Sequence, residues 1–194
     1  TIKNLTLSGF KITQNNPNVT GTLRVGMLCG DNSGTLENVT ITNCSLDVDV
    51  GDANNSSNSY IYAGIVCGYN TGEIRKCIVQ NSCNVKAVAS SLDEGARSYA
   101  GSVVGYSAGG KLLDVSSHNN TVNARANAGR TTNWIGVENG HGRPYAYAGG
   151  VIGYMESTIL ERVLGYRNSL TAVDDRGCHS GNNRDSACGS IIGY

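Results

Sequence analysis

The sequence predicts an all-β chain wound as a right-handed parallel β-helix of about five coils, each built from three short strands, with insertions at one corner. Three observations predict it. A glycine-rich heptapeptide returns five times at near-regular intervals. Short runs of alternating apolar residues follow each of the first four copies. No stretch carries a helical period.

The heptapeptide reads VGMLCGD at 25–31, AGIVCGY at 63–69, AGSVVGY at 100–106, AGGVIGY at 148–154 and CGSIIGY at 188–194. Its first glycine falls at Gly26, Gly64, Gly101, Gly149 and Gly189, so the intervals are 38, 37, 48 and 40 residues. Self-similarity at such a period marks a repeat architecture. The paired glycines read as bend positions that allow a positive φ.

The next element of each unit begins GTLENVTITN, GEIRKCIVQN, GKLLDVSSHN and STILERVLGY. Its apolar frame is Leu36, Val39, Ile41; Ile74, Cys77, Val79; Leu112, Val115; Leu160, Val163, and the opening residues Ile2, Leu5 and Leu7 fit it. A third run carries Leu46, Val48, Val50; Val85, Val88; Val122, Ala124; Leu170, Ala172. These runs are β-branched and alternating, as strands require. Asn43, Asn81 and Asn119 recur between the second and third runs, where Asn suits a left-handed corner. Length variation concentrates in four stretches, 51–59, 90–98, 127–145 and 174–187. A β-propeller repeats at similar length, but its blades need four antiparallel strands and hairpin turns that this pattern lacks. Units of this kind bury nothing alone; stacking places like residues over one another about 4.8 Å apart and makes the apolar column continuous. Tyr69, Tyr106, Tyr154 and Tyr194 should form one such column, with Asp31 in the first repeat, and Tyr62, Tyr99 and Tyr147 another.

Net charge is +0 at pH 7 and 15% of residues are charged. That balance argues against nucleic acid, which needs a basic face. No apolar run approaches the roughly 20 residues of a membrane span. The chain opens directly into strand-like sequence at Thr1 and ends within a heptapeptide copy, so it reads either as an excerpt of a longer solenoid or as a subunit that stacks head to tail into a filament.

Seven Asn-x-Ser/Thr sequons begin at Asn4, Asn18, Asn38, Asn43, Asn54, Asn55 and Asn119. They point to N-linked glycans and an extracellular or cell-surface location; the plainer alternative is a surface protein rich in these residues. Seven cysteines agree with an oxidising compartment. Cys29 and Cys67 hold one position in adjacent repeats, within disulfide reach if stacked, although their Cβ directions are not readable from spacing. Cys44 and Cys83 lie near one corner of the same two coils, offset by one residue. Cys178 and Cys188 flank the last insertion. Cys77 aligns with Val39 as a core residue, and the odd count leaves at least one thiol free or bonded elsewhere. With no C-x-x-C and with His118, His141 and His179 scattered, no metal or other cofactor is expected.

The AGG-x-x-GY run followed by G-x-I-x-N/R-C/V resembles the GLUG-type repeat of large secreted and surface proteins. The resemblance covers nearly the whole chain in five partial copies. It implies an adhesin-like or surface-scaffold role and brings no catalytic residues.

Candidate chemistry is sparse. Asp47 and Asp49 alternate on one strand, but the next coil has Val85 and Ala87 nearby and offers no matching acid, so no carboxylate pair of the glycosidase kind stands out. Asp174 and Asp175 open a polar insertion. The 127–145 stretch holds the only Trp, Trp134, with His141, Arg143 and Tyr145, a set suited to a neighbouring subunit or a glycan. The expected function is therefore a non-enzymatic, glycosylated extracellular scaffold or fibre subunit that self-associates. A glycan-binding adhesin is the alternative, and a β-helix polysaccharide lyase or hydrolase a more distant one.

Overall fold

The computed structural model describes residues 1–17, 20–51, 58–91, 95–128, 144–176 and 185–194. The first turn comprises β1 (Ile2–Ser8), β2 (Lys11–Asn16), β3 (Gly21–Val25) and β4 (Cys29–Asn32). The second comprises β5 (Thr35–Thr42), β6 (Ser45–Val50), β7 (Ser59–Gly64) and β8 (Cys67–Asn70). The third comprises β9 (Glu73–Gln80), β10 (Asn84–Ser91), β11 (Ala96–Gly101) and β12 (Val104–Ala108). The fourth comprises β13 (Lys111–His118), β14 (Thr121–Ala128), β15 (Tyr145–Gly149) and β16 (Ile152–Glu156). A partial fifth follows as β17 (Ile159–Tyr166), β18 (Ser169–Arg176) and β19 (Asp185–Gly189).

Every strand pairs in parallel with its counterparts one turn away. The result is four sheets running along the solenoid: β1-β5-β9-β13-β17, β2-β6-β10-β14-β18, β3-β7-β11-β15-β19 and β4-β8-β12-β16. We call them the first to fourth sheets. The parallel β-solenoid read from the repeat is thus the architecture, in four full turns and a three-stranded remainder rather than five coils.

Each coil has four strands, not three. The heptapeptide is no single strand: AGIVCGY contributes the end of β7 and the start of β8, with a bend at Ile65 and Val66. The bend keeps its ladder, since Met27 and Leu28 donate to the Ile65 and Val66 carbonyls and Val66 and Cys67 donate to Val103. The strand before the bend, SYIYAG in β7, begins inside a stretch the sequence assigns to an insertion. Likewise residues 90–91, 96–98, 127–128, 145, 174–176 and 185–187 are strand. Asp174 and Asp175 accordingly end β18 rather than open a loop.

The heptapeptide glycines are not bend residues of left-handed conformation; positive φ among glycines occurs at Gly9, Gly21, Gly51 and Gly109. Their requirement is space. A Cβ on Gly68 would lie 2.7 Å from the Tyr62 carbonyl oxygen, and one on Gly153 would lie 2.7 Å from the Ala100 nitrogen. Third- and fourth-sheet backbones touch across this edge with no side chain between them, which only glycine allows.

Two columns of left-handed residues shape the rest. Gly9, Asn43, Asn81, Asn119 and Arg167 turn the chain from first to second sheet, with φ of 76°, 53°, 59°, 58° and 53°. Asn4, Asn38, Lys76, Asp114 and Arg162 interrupt the first-sheet strands, with φ of 56°, 53°, 52°, 55° and 52°. Each places two outward residues between inward ones, such as Glu37 and Asn38 between buried Leu36 and Val39. This is why the apolar frame of that run skips by three before it alternates.

The core is a set of stacked columns. Ile2, Leu36, Ile74, Leu112 and Leu160 form one, and Ile12, Leu46, Val85, Val122 and Leu170 another. Val48, Ala87, Ala124 and Ala172 narrow a third. Polar residues enter the interior only with partners. Buried Asn32 donates to the Asn70 amide oxygen at 2.7 Å, and Asn70 donates to Ser107 Oγ at 3.3 Å. Buried Asn120 donates to the Val79 carbonyl at 2.9 Å while its own amide oxygen accepts from the Cys83 N–H at 3.1 Å.

Candidate functional site

Nine of the ten tyrosines lie on one side of the solenoid, along the outer edge between third and fourth sheets. Alternation in β7 and β11 buries Ile61 and Ser98 and turns Tyr62 and Tyr99 outward. The register then stacks Tyr62, Tyr99 and Tyr147 in the third sheet and Tyr69, Tyr106 and Tyr154 in the fourth.

The two columns interleave. Centroid separations along them are 5.4 Å for Tyr62–Tyr99, Tyr99–Tyr147 and Tyr69–Tyr106, and 4.9 Å for Tyr106–Tyr154. Across them, Tyr62–Tyr106, Tyr99–Tyr154 and Tyr147–Tyr194 lie at 4.7, 5.0 and 4.8 Å. Most pairs are close to parallel, in the range favoured by aromatic stacking. Arg24 caps the column in the first turn, 4.2 Å from the Tyr69 centroid, and is held by Asp31 at 2.6 Å. Beside it, Tyr60, Arg97 and Tyr145 form a third column, with the Arg97 guanidinium 4.9 and 5.3 Å from the two rings.

Ring faces cover one another, so edges and hydroxyls are what this surface offers. Burial pushes the Tyr62, Tyr99, Tyr106 and Tyr154 hydroxyls above the usual phenol range, and Glu156 adds to the rise at Tyr106 and Tyr154. The phenols therefore remain neutral donors at physiological pH.

The outside of the first sheet carries ion pairs from coil to coil. Glu37 meets Lys3 and Arg75, each at 2.9 Å, and the two cations lower its carboxyl to about 2. Asp114 pairs with Arg162, which lowers its carboxyl as well. Asp47, weighed as a candidate acid, pairs with Lys86 at 3.1 Å. Asp49 stands opposite Val88 in the register.

The sequon asparagines Asn4, Asn38, Asn43 and Asn119 are all exposed and all left-handed. They occupy two columns flanking the first sheet. Asn38 donates to the Asn4 amide oxygen at 2.8 Å, and Asn119 lies 3.2 Å from the His118 ring nitrogen. Asn18, Asn54 and Asn55 fall outside the described residues.

Cys29, Cys44, Cys67, Cys77, Cys83 and Cys188 are free thiols in the structure, and Cys178 is outside the described residues. Cys29 and Cys67 are in-register neighbours on β4 and β8. Cys44 and Cys83 are also in register, because Asn84 pairs with Ser45. Their one-residue offset in sequence is absorbed at the corner, where both Asn81 and Ser82 take a positive φ. Cys77 is a core residue, as its alignment with Val39 suggested.

Of the recognition set in 127–145, Tyr145 lies on β15 beside Arg97. Trp134, His141 and Arg143 fall outside the described residues. Among the described residues, no group of three or more His, Cys, Asp or Glu is placed to hold a metal ion, and no helix is long and apolar enough to cross a membrane. Arg24, Arg97 and the Asn32–Asn70 ladder are absent from the sequence reading. The repeated dipeptide pair GDN and GYN at 30–32 and 68–70 carried the signal for the last. Comparison of the chain with protein-family models, curated proteins and solved structures gives no match.

Proposed function

We propose that this chain is a structural, non-enzymatic scaffold segment of an extracellular or cell-surface protein, one that carries N-linked glycans and continues end to end through further coils or further copies. One observation supports this above the others: side chains of every class are used coil upon coil. Tyrosine rings stack on tyrosine rings, buried asparagines bond to their counterparts, and Glu37 bridges the turns on either side. A coil in such a column presents to the next the surface it receives from the last, which suits a heterologous, non-closing contact. The exposed sequons on the flanks of the first sheet suit glycans projecting from a rod. The resemblance to GLUG-type repeats favours the same reading.

Negative-stain electron microscopy over a range of concentrations, on chain secreted from eukaryotic cells, tests it. Rods one solenoid wide that lengthen with concentration, and a mass that falls on enzymatic deglycosylation, are expected. Discrete particles at every concentration refute self-assembly, and an unchanged mass refutes glycosylation. Saccharide binding lost in Trp134→Ala would favour the adhesin reading instead.

A further inference from the structure

We infer that Cys29 and Cys67 form a thiol–disulfide exchange site, in which Cys29 attacks a small-molecule disulfide and Cys67 resolves the adduct into a bond that staples the first turn to the second. The sequence alone suggests only that these two residues could come close. The structure orders them into roles.

Three observations carry the assignment. The strands β4 and β8 pair in register at these residues, so their Cα atoms are about 4.8 Å apart, inside the range a disulfide spans. The two thiols are hydrogen-bonded to each other, which shows that the side chains converge. Access differs sharply: Cys29 is half-buried, whereas Cys67 is 0% exposed. Only Cys29 meets solvent, so only Cys29 can be the first nucleophile.

Electrostatics agree with this order. The hydrogen bond from Cys67 lowers the Cys29 thiol, against opposing contributions from burial and from Asp31. The same bond and complete burial push Cys67 up. A lowered, accessible thiol attacks first, and its neighbour completes the exchange. The step balances: the Cys29 thiolate displaces one thiol from RSSR, and Cys67 then displaces the second. The protein loses two hydrogens, the disulfide is reduced to two RSH, and no further oxidant is needed.

The other thiols set the contrast. Cys44, Cys77 and Cys83 are buried, and Cys77 is pushed up to about 11 by that burial. Cys188 is exposed and would react on its own.

The test therefore uses a Cys178→Ser, Cys188→Ala background, reduced and then treated with oxidised glutathione at neutral pH without denaturant. The parent should lose two mass units, release two glutathione thiols and yield a Cys29–Cys67 peptide on non-reducing mapping. Cys67→Ser should stop at a stable glutathione adduct on Cys29. Cys29→Ser should react at least tenfold more slowly than the parent. Circular dichroism confirms that both variants fold, and the parent's peptide map stands alone if either does not. Reaction of Cys29→Ser at the parent rate, an unmodified Cys67→Ser, or a mapped bond between other cysteines would each overturn the assignment.

Discussion

Tyr106 is the most embedded ring of the tyrosine edge, and its replacement by leucine isolates what stacking contributes. Its centroid lies 4.7, 4.9, 5.4 and 5.7 Å from those of Tyr62, Tyr154, Tyr69 and Tyr99. An aromatic pair adds about 0.5–1.5 kcal/mol beyond the area it buries. Leucine keeps most of the apolar volume and loses all four ring contacts. At the lower bound for each, Tyr106→Leu should cost about 2 kcal/mol. Tyr166 is the control: it stacks on one ring, His118 at 4.9 Å, and is 47% exposed, so Tyr166→Leu should cost under about 0.5 kcal/mol. Guanidinium unfolding followed by far-ultraviolet circular dichroism reads both, provided the slope is unchanged. A double cycle with Tyr154→Leu should show a positive coupling. A Tyr106→Leu loss no larger than the Tyr166→Leu loss would refute the view that the rings hold the coils together.

Three further outcomes are expected. Glu37 ionises at about 2 when folded, below its unfolded value; the stability it contributes is present above about pH 4.3 and is lost as pH falls towards 2. Glu37→Gln should flatten the acid limb of a stability-against-pH curve over that window, and an unchanged limb would contradict it. Gly68→Ala forces a Cβ against the Tyr62 carbonyl and should cost about 3 kcal/mol or prevent folding, whereas Gly9→Ala meets open space and should cost only about 1 kcal/mol for its φ of 76°; thermal denaturation of the pair checks the ranking. Asn70→Ala strips the partners from buried Asn32 and Ser107 and should cost about 3 kcal/mol, with faster hydrogen exchange at Thr71 and Gly72, whose N–H groups bond to Asn32.

The stacked, parallel character of the fold was legible because repetition is a one-dimensional property. Residues that recur every 37 or 38 positions must meet their counterparts if coils pack, and Tyr69, Tyr106 and Tyr154 do. Asn43, Asn81 and Asn119 marked a left-handed corner for a similar reason: the required conformation favours a residue type that spacing alone reveals. Strand number was not legible. β7 and β8 are separated by two apolar residues, and nothing in IVCG distinguishes a bend from continued strand.

Lateral arrangement belongs to the tertiary structure. Repeat spacing says which residues share a column but not which columns adjoin. The bend at Ile65–Val66 folds the third sheet against the fourth, and so interleaves two tyrosine columns that the sequence shows as separate. The same geometry explains the glycines, which are demanded by backbones in contact and not by their own φ. It also separates Cys29 from Cys67 in accessibility although they occupy one position of the repeat. Periodicity is carried by the order of residues along the chain; adjacency and exposure arise only when the chain closes around its core, because they depend on the angle at every corner at once.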